Sequence, residues 1–338
     1  MDVAREAVSA GGTAALAWWK KDLTAETKAD TTPVSYPGLV LDDDGDYYNY
    51  GEQRHRLAAA VTLPWNRVDF RAALSLGYQL EERYAIDETT EEFDDEVILT
   101  EGLSEDRSSA LWGRLSFFNG TSFFRSHSIE DGRYLSVVAE RADKALGSEI
   151  ERIRLRGDWS EYLPLAWENH VIKLEASYGH SWGDETAQGA FGLGGLGFSL
   201  VSASLGVERG ISLRGYESNY QVGDEAVKVG LAYRLPLWQP YRNINATSPF
   251  YLQQLFLELF YEGGRVGDSV FADADDDTDW LNAAGVEVNF ATKLLRFLPV
   301  APGIGVAYAF DREERGDDED RLSEKLSIYF SIKTSVNF

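Results

Sequence analysis

Arg67-Val68-Asp69-Phe70-Arg71-Ala72-Ala73-Leu74-Ser75-Leu76-Gly77-Tyr78-Gln79-Leu80 is the stretch on which the fold turns. Val68, Phe70, Ala72, Leu74, Leu76, Tyr78 and Leu80 fall on one side of an extended chain, and Arg67, Asp69, Arg71, Ala73, Ser75, Gly77 and Gln79 on the other. A period of two residues is that of a β-strand, since successive side chains point to opposite faces. The alternation outruns the usual globular strand of about five or six residues. It suits a strand that crosses a bilayer, which needs about 9–11 residues with the apolar side toward lipid.

The same alternation recurs on both sides of this stretch. A strand is predicted from Thr13, and another at 54–63, ended by a Pro64-Trp65-Asn66 turn; the polar stretch 22–50 between them, with Asp42-Asp43-Asp44-Gly45-Asp46, reads as a long loop. Downstream, strands are expected at 109–118, 133–141, 152–159, 171–181, 226–236, 250–263, 280–290, 303–310 and 325–338. In one of them Arg152, Arg154 and Arg156 alternate with Ile153 and Leu155, and a row of charges on one face requires water, which a barrel lumen supplies. Turns near Pro64, Pro164, Pro236 and Pro299 are short and carry Trp65, Trp167, Trp238 or Phe297, whereas the opposite connections are long and acidic. Short turns on one side and long loops on the other are the asymmetry of outer-membrane barrels, with the aromatics as an interfacial girdle.

Composition narrows the function. The 338 residues carry a formal net charge of −24, which would repel a phosphate backbone and excludes nucleic acid as a partner. There are no cysteines and only four histidines, so no disulfide framework, thiolate metal site or metal cofactor is expected. His55, His127, His170 and His180 lack a Ser or Asp partner at a recognisable spacing and read as girdle or turn residues, so no enzyme activity is expected. The acidic loops read as solvated surface, their spacing not matching a calcium-binding loop. No run of 18 apolar residues offers a transmembrane helix, and Met1 to Ala10 is too polar for a signal peptide, while the short alternating segments are of the kind a membrane barrel uses; an exported protein cut short at its N-terminus fits both the missing signal and the alternation.

One loop, 192–219, interrupts the strands and is rich in glycine. Its sharpest segment, Leu213-Arg214-Gly215-Tyr216, sets a lone arginine before a glycine that can take backbone angles closed to other residues. With Phe191-Gly192-Leu193-Gly194-Gly195 ahead of it, this segment resembles the barrel of the BamA, TamA and FhaC superfamily of outer-membrane insertases and two-partner-secretion transporters, and the likeness covers 54–338.

The resemblance implies an all-β, antiparallel transmembrane β-barrel in the bacterial outer membrane, with loop 192–219 folded inward as a plug. About twelve strands of a family barrel of about sixteen are expected, residues 1–53 giving the first strand and polar loop and 54–338 the remainder of the same domain. By the same resemblance Arg214 is the plug arginine, and Phe260-Tyr261-Glu262-Gly263-Gly264 supplies the receiving motif of Phe260, Glu262 and Gly264, with Glu262 where the family has aspartate. Ala232 stands where a glutamate is usual, which leaves the lumen-facing Arg234 without its expected neighbour. Phe330, Ile332, Val336 and the terminal Phe338 resemble the address read by the bacterial barrel-assembly machinery, although Lys333 replaces a frequent glycine. Implied partners are outer-membrane lipid and lipopolysaccharide, that machinery, and unfolded outer-membrane or secreted polypeptide clients. The alternative is a passive, anion-preferring diffusion channel lined by Arg152, Arg154 and Arg156.

Overall fold

The computed structural model describes residues 14–18, 23–41, 47–85, 98–99, 107–122, 126, 128–184, 191–196, 209–243, 250–267, 280–294, 298–311 and 325–333; for 14–54, 56, 83–85, 98–99, 250, 294, 298–299 and 332–333 only the backbone path is described. In chain order the strands are β1 (Ala14–Trp18), β2 (Leu23–Leu41), β3 (Tyr47–Asn66), β4 (Arg71–Ala85), β5 (Ile98–Leu99), β6 (Arg107–Phe118), β7 (Gly132–Ala142), β8 (Arg152–Pro164), β9 (Val171–Gly183), β10 (Phe191–Leu193), β11 (Gly210–Ile211), β12 (Gln221–Gly223), β13 (Glu225–Trp238), β14 (Arg242–Asn243), β15 (Phe250–Gly267), β16 (Leu281–Leu294), β17 (Leu298–Ala309) and β18 (Leu326–Lys333). One antiparallel sheet runs β1-β2-β3-β4-β6-β7-β8-β9-β13-β15-β16-β17-β18, with β5 beside β2 and β14 beside β15, while β11-β10-β12 form a separate small sheet. Each strand of the long path pairs with the next in the chain, apart from the short strands it skips, as expected of an up-and-down barrel wall. Among the described residues no pairing joins β1 to β18.

Exposure along the strands is inverted relative to a water-soluble protein. Leu76, Leu111, Leu115, Ile153, Leu231, Tyr261, Ile304, Ile328 and Phe330 are exposed, whereas Gln79, Glu81, Glu140, Arg152, Arg154, Lys228, Glu258, Glu262 and Glu287 are buried on the other face. An aqueous solvent would drive the opposite arrangement, so the apolar face is the one that meets lipid. Trp65, Trp167 and Trp238 are exposed at the ends of β3, β8 and β13 that carry the short turns, where an aromatic girdle belongs.

The sheet must also curl. Arg209 pairs with Glu81 on β4, and six residues later the carbonyl of Gly215 accepts from Ser327 Oγ on β18 at 3.1 Å. Nine ladder steps separate those strands. Laid flat they would lie about 43 Å apart at ~4.8 Å per step, while six residues of fully extended chain reach only about 20 Å. Side chains cannot make up the rest, and the loop therefore lies inside a wall that bends around it.

Two expectations change. The stretch 22–50 is not a loop: β2 and β3 pair from Thr24↔Thr62 to Leu41↔Tyr47, with a register shift between Tyr36 and Val40 around Pro37-Gly38. Pro33 and these turn-forming residues hide a strand that backbone pairing nevertheless builds. Second, Pro64, Trp65 and Asn66 lie within β3, and the turn falls at 67–70, closed by Arg67 N–H donating to the Phe70 carbonyl at 2.8 Å. Pro64 is tolerated because β2 has stopped pairing at Thr62, so its missing N–H is not needed there. With β2 added, the path among the described residues holds thirteen strands, in keeping with the about twelve expected.

Candidate functional site

Loop 192–219 carries its own small sheet: β10 pairs parallel with β11 and antiparallel with β12, and Leu213 bridges to Gly195. Phe191, Leu193, Ile211 and Leu213 are almost fully buried and pack with Val138, Ala226, Val266, Leu281, Ala283 and Ala309 of the wall. Burying a side chain of this size is worth roughly 1.5–3 kcal/mol, so the loop has an apolar core of its own on the otherwise polar inner face. Gly215 sits at φ +97°, and a Cβ there would stand 3.3 Å from Cβ of Ala307 and 3.5 Å from Cβ of Ala309. Only glycine lets the backbone lie this close to β17 in that conformation. Next to it the Tyr216 hydroxyl donates to the Asn282 carbonyl at 2.8 Å and accepts from the Asp311 N–H at 3.2 Å, and burial pushes its pKa up to about 12.

This geometry aims Arg214 at β15 and β16. Its Nε and Nη2 donate to Glu262 Oε1 at 2.9 and 2.5 Å, and its backbone N–H to Glu262 Oε2 at 3.2 Å. Nη1 donates to Glu258 Oε1 at 2.8 Å and reaches Glu287 Oε2 at 3.4 Å, while the guanidinium lies 3.4 Å over the Phe260 ring. The strand period explains the cradle. Glu258, Phe260 and Glu262 are alternate residues of β15 on one face, so the cation rests on the ring with a carboxylate at either end.

The cluster extends along the wall. Arg234 Nε donates to Glu258 Oε2 at 2.7 Å, Lys228 Nζ lies 3.5 Å from Glu262 Oε1, and the Tyr329 and Ser331 hydroxyls both donate to Glu287 at 2.9 Å. Three carboxylates thus face three cations, one of them supplied by the loop. Arg234, expected to lack a neighbour because of Ala232, takes its partner from the adjacent strand: its cross-strand mate in β13–β15 pairing is Glu258. Sequence reading missed Glu258, Glu287, Lys228 and Tyr329 as members of the site; the one signal was the Glu-x-Phe-x-Glu spacing in β15. Gly264, where a Cβ would stand 2.9 Å from the Val227 carbonyl oxygen, gives Leu193 room to pack.

The remaining predicted residues lie elsewhere. Arg152 and Arg154 are buried on the inner face; Arg154 pairs with Glu140, Arg156 holds Asp158 through contacts of 2.9–3.1 Å, and Arg152 donates to the Asp184 carbonyl at 2.9 Å. Phe330 is exposed on the lipid side of β18. Ile332 continues that strand, and Val336 and Phe338 lie outside the described residues, as does His127. His170 Nδ1 is 2.6 Å from the Tyr233 hydroxyl beside Trp167, the His180 and Trp182 rings meet tilted at 43° with centroids 4.1 Å apart, and His55 is exposed. No group of three His, Asp or Glu side chains fit to hold a metal occurs among the described residues.

Comparison with known proteins agrees with this architecture. No curated protein is matched by the sequence. Among solved structures the chain is similar to BamA from Haemophilus ducreyi lacking POTRA domains 1-3 (14% identity, TM-score 0.51), over 92% of this chain and 62% of that one. It is similar also to CdiB from Escherichia coli (14%, TM-score 0.54, 92% and 50%) and CdiB from Acinetobacter baumannii (11%, TM-score 0.52, 92% and 47%). At these identities the likeness is one of fold, and the chain spans between about half and two thirds of the length of those proteins. The model of the Omp85 superfamily domain matches residues 13–332, nearly the whole sheet and its inner loop, and the chain therefore belongs to the Omp85 superfamily of bacterial outer-membrane β-barrels.

Proposed function

We propose that this barrel inserts proteins into the outer membrane or passes polypeptide across it, with loop 192–219 as a removable plug. The observation that carries the reading is the grip on Arg214. A guanidinium with 12% side-chain exposure, held by Glu262, Glu258 and Glu287, is placed to keep the loop seated. Leaving a buried charge without its partner costs about 3–5 kcal/mol, so the seated state resists release. It is not permanent, because a competing polypeptide that offers strand edges or basic side chains can replace those contacts one at a time. BamA and the two CdiB proteins share the fold and suggest clients of these kinds. Outer-leaflet lipid and the barrel-assembly machinery are the expected surroundings of such a barrel.

The other reading, an anion-preferring diffusion channel, rested on Arg152, Arg154 and Arg156. Arg154 and Arg156 are each paired with a carboxylate of the wall, Glu140 and Asp158, which reduces the net positive charge available to attract anions. A seated loop also opposes free diffusion.

The experiment is reconstitution of the chain in proteoliposomes, with the folding of an unfolded outer-membrane barrel read by its heat-modifiable mobility on gels. The expected result is faster client folding than in empty liposomes, reduced at least tenfold in R214A, together with a low resting conductance that rises in that variant. An open, anion-selective resting conductance with no effect on client folding would instead establish the channel.

A further inference from the structure

We infer that Arg209 and Glu81 form a second anchor of loop 192–219, so that its segment Arg209–Gly215 is a beam fixed at either end to a different arc of the barrel wall; this rests on the plug reading above. Arg209 is 9% exposed and Glu81 1%, and they form an ion pair across the interior. The pair does not stand alone. On the same inner face Gln79 Nε2 donates to Glu140 at 2.8 Å, and Glu140 holds Arg154. The backbone beside Arg209 is fixed as well: its carbonyl accepts from the Gly192 N–H at 3.1 Å, and the Gly210 carbonyl accepts from Arg156 Nη1 at 3.0 Å. This end of the loop therefore rests on β4 and β8, and the Arg214 end on β15 and β16, six and seven ladder steps from β4.

Charge counting gives both ends one logic. Without the loop, Glu81, Glu140 and Arg154 carry −1, and Glu258, Glu262, Glu287, Arg234 and Lys228 also carry −1. Arg209 neutralises the first cluster and Arg214 the second. Release of one end leaves the other attached, and the freed arginine stays at high effective concentration near its site. Full release needs both anchors broken, and it takes one positive charge away from the acidic groups of each arc. Arg209 is accordingly a positioning residue, and removing both arginines makes the lumen more cation-preferring than in the wild type.

The test is single-channel recording of the full chain in planar bilayers, comparing R209A, R214A, the double variant and the charge-reversed pair E81R/R209E. Each single variant is expected to raise the open fraction by about tenfold and the double variant by roughly the product, as for two independent sites. The reversed pair should return R209E to the resting level, and the double variant's reversal potential in a salt gradient should shift toward cation preference relative to the wild type. Because the chain has no cysteine, E81C/R209C offers a check that does not depend on destabilising the fold. A bifunctional thiol reagent with a cleavable spacer, longer than a disulfide because it must replace two long side chains, should bridge the pair and hold the channel shut until the spacer is cut. If R214A opens the channel while R209A adds nothing and E81C/R209C does not cross-link, the second anchor is overturned and the plug reading stands. If neither R214A nor the double variant changes the conductance, the plug reading itself falls.

Discussion

Arg214 was legible in the sequence through the resemblance carried by Leu213-Arg214-Gly215-Tyr216 and the glycine-rich stretch before it, since an arginine before a glycine in a loop is by itself also the pattern of an ordinary solvated turn. Its partners were legible only in part. Glu262 followed from the resemblance, whereas Glu258 and Glu287 sit 44 and 73 residues away in sequence and are brought in by strand pairing alone. Tyr216 allows a direct test at this scale. Burial favours the neutral phenol and moves its pKa up from the ordinary value near 10 to about 12. Below the unfolded value this preference for the seated loop is fully present, and it is lost as the pH rises from about 10 through 12. A difference titration by tyrosinate absorbance, wild type minus Y216F, is expected to show one group ionising near 12; a group titrating at 10 would mean that Tyr216 is solvated.

Elements were read well where alternation was clean and poorly where it was not. β4, β8, β9, β13 and β15 announce themselves by period, because one face meets lipid and the other an aqueous, charged interior. β2 does not, since Pro33, Pro37 and Gly38 break the pattern, and its extended form follows from pairing with β3. The loop is an element of its own, with Leu213 at its centre and no exposure. Leu213→Ala is expected to cost the seating of the loop about 2–4 kcal/mol through the cavity it leaves. Limited proteolysis should then cut the loop far faster, while the heat-modifiable mobility of the barrel stays as in the wild type, because the wall strands do not depend on that side chain. Loss of the folded band together with the loop would contradict a separately seated element.

Over the whole molecule, the solvent decides the arrangement. Leu76 is 60% exposed at mid-strand in β4, while Glu81 on the same strand is 1% exposed. In a lipid-embedded barrel Leu76→Arg is expected to lower folding stability by about 2–4 kcal/mol, as for a cation near the bilayer midplane. Urea titration of folding into phospholipid vesicles measures it; a change under 0.5 kcal/mol would mean that this face meets water. The sequence by itself determined the strand periodicity, the lipid-facing side of most strands, the acidic loops opposite short aromatic turns, and the arginine at the turn of the inner loop, because each is written within a few consecutive residues. Only the tertiary structure decided that β2 is a strand, that Arg234 finds Glu258, and that the inner loop touches one arc through Arg209 and another through Arg214. Those outcomes depend on which strands lie next to one another and on how far the sheet bends, and no local pattern of residues encodes a contact made across the interior.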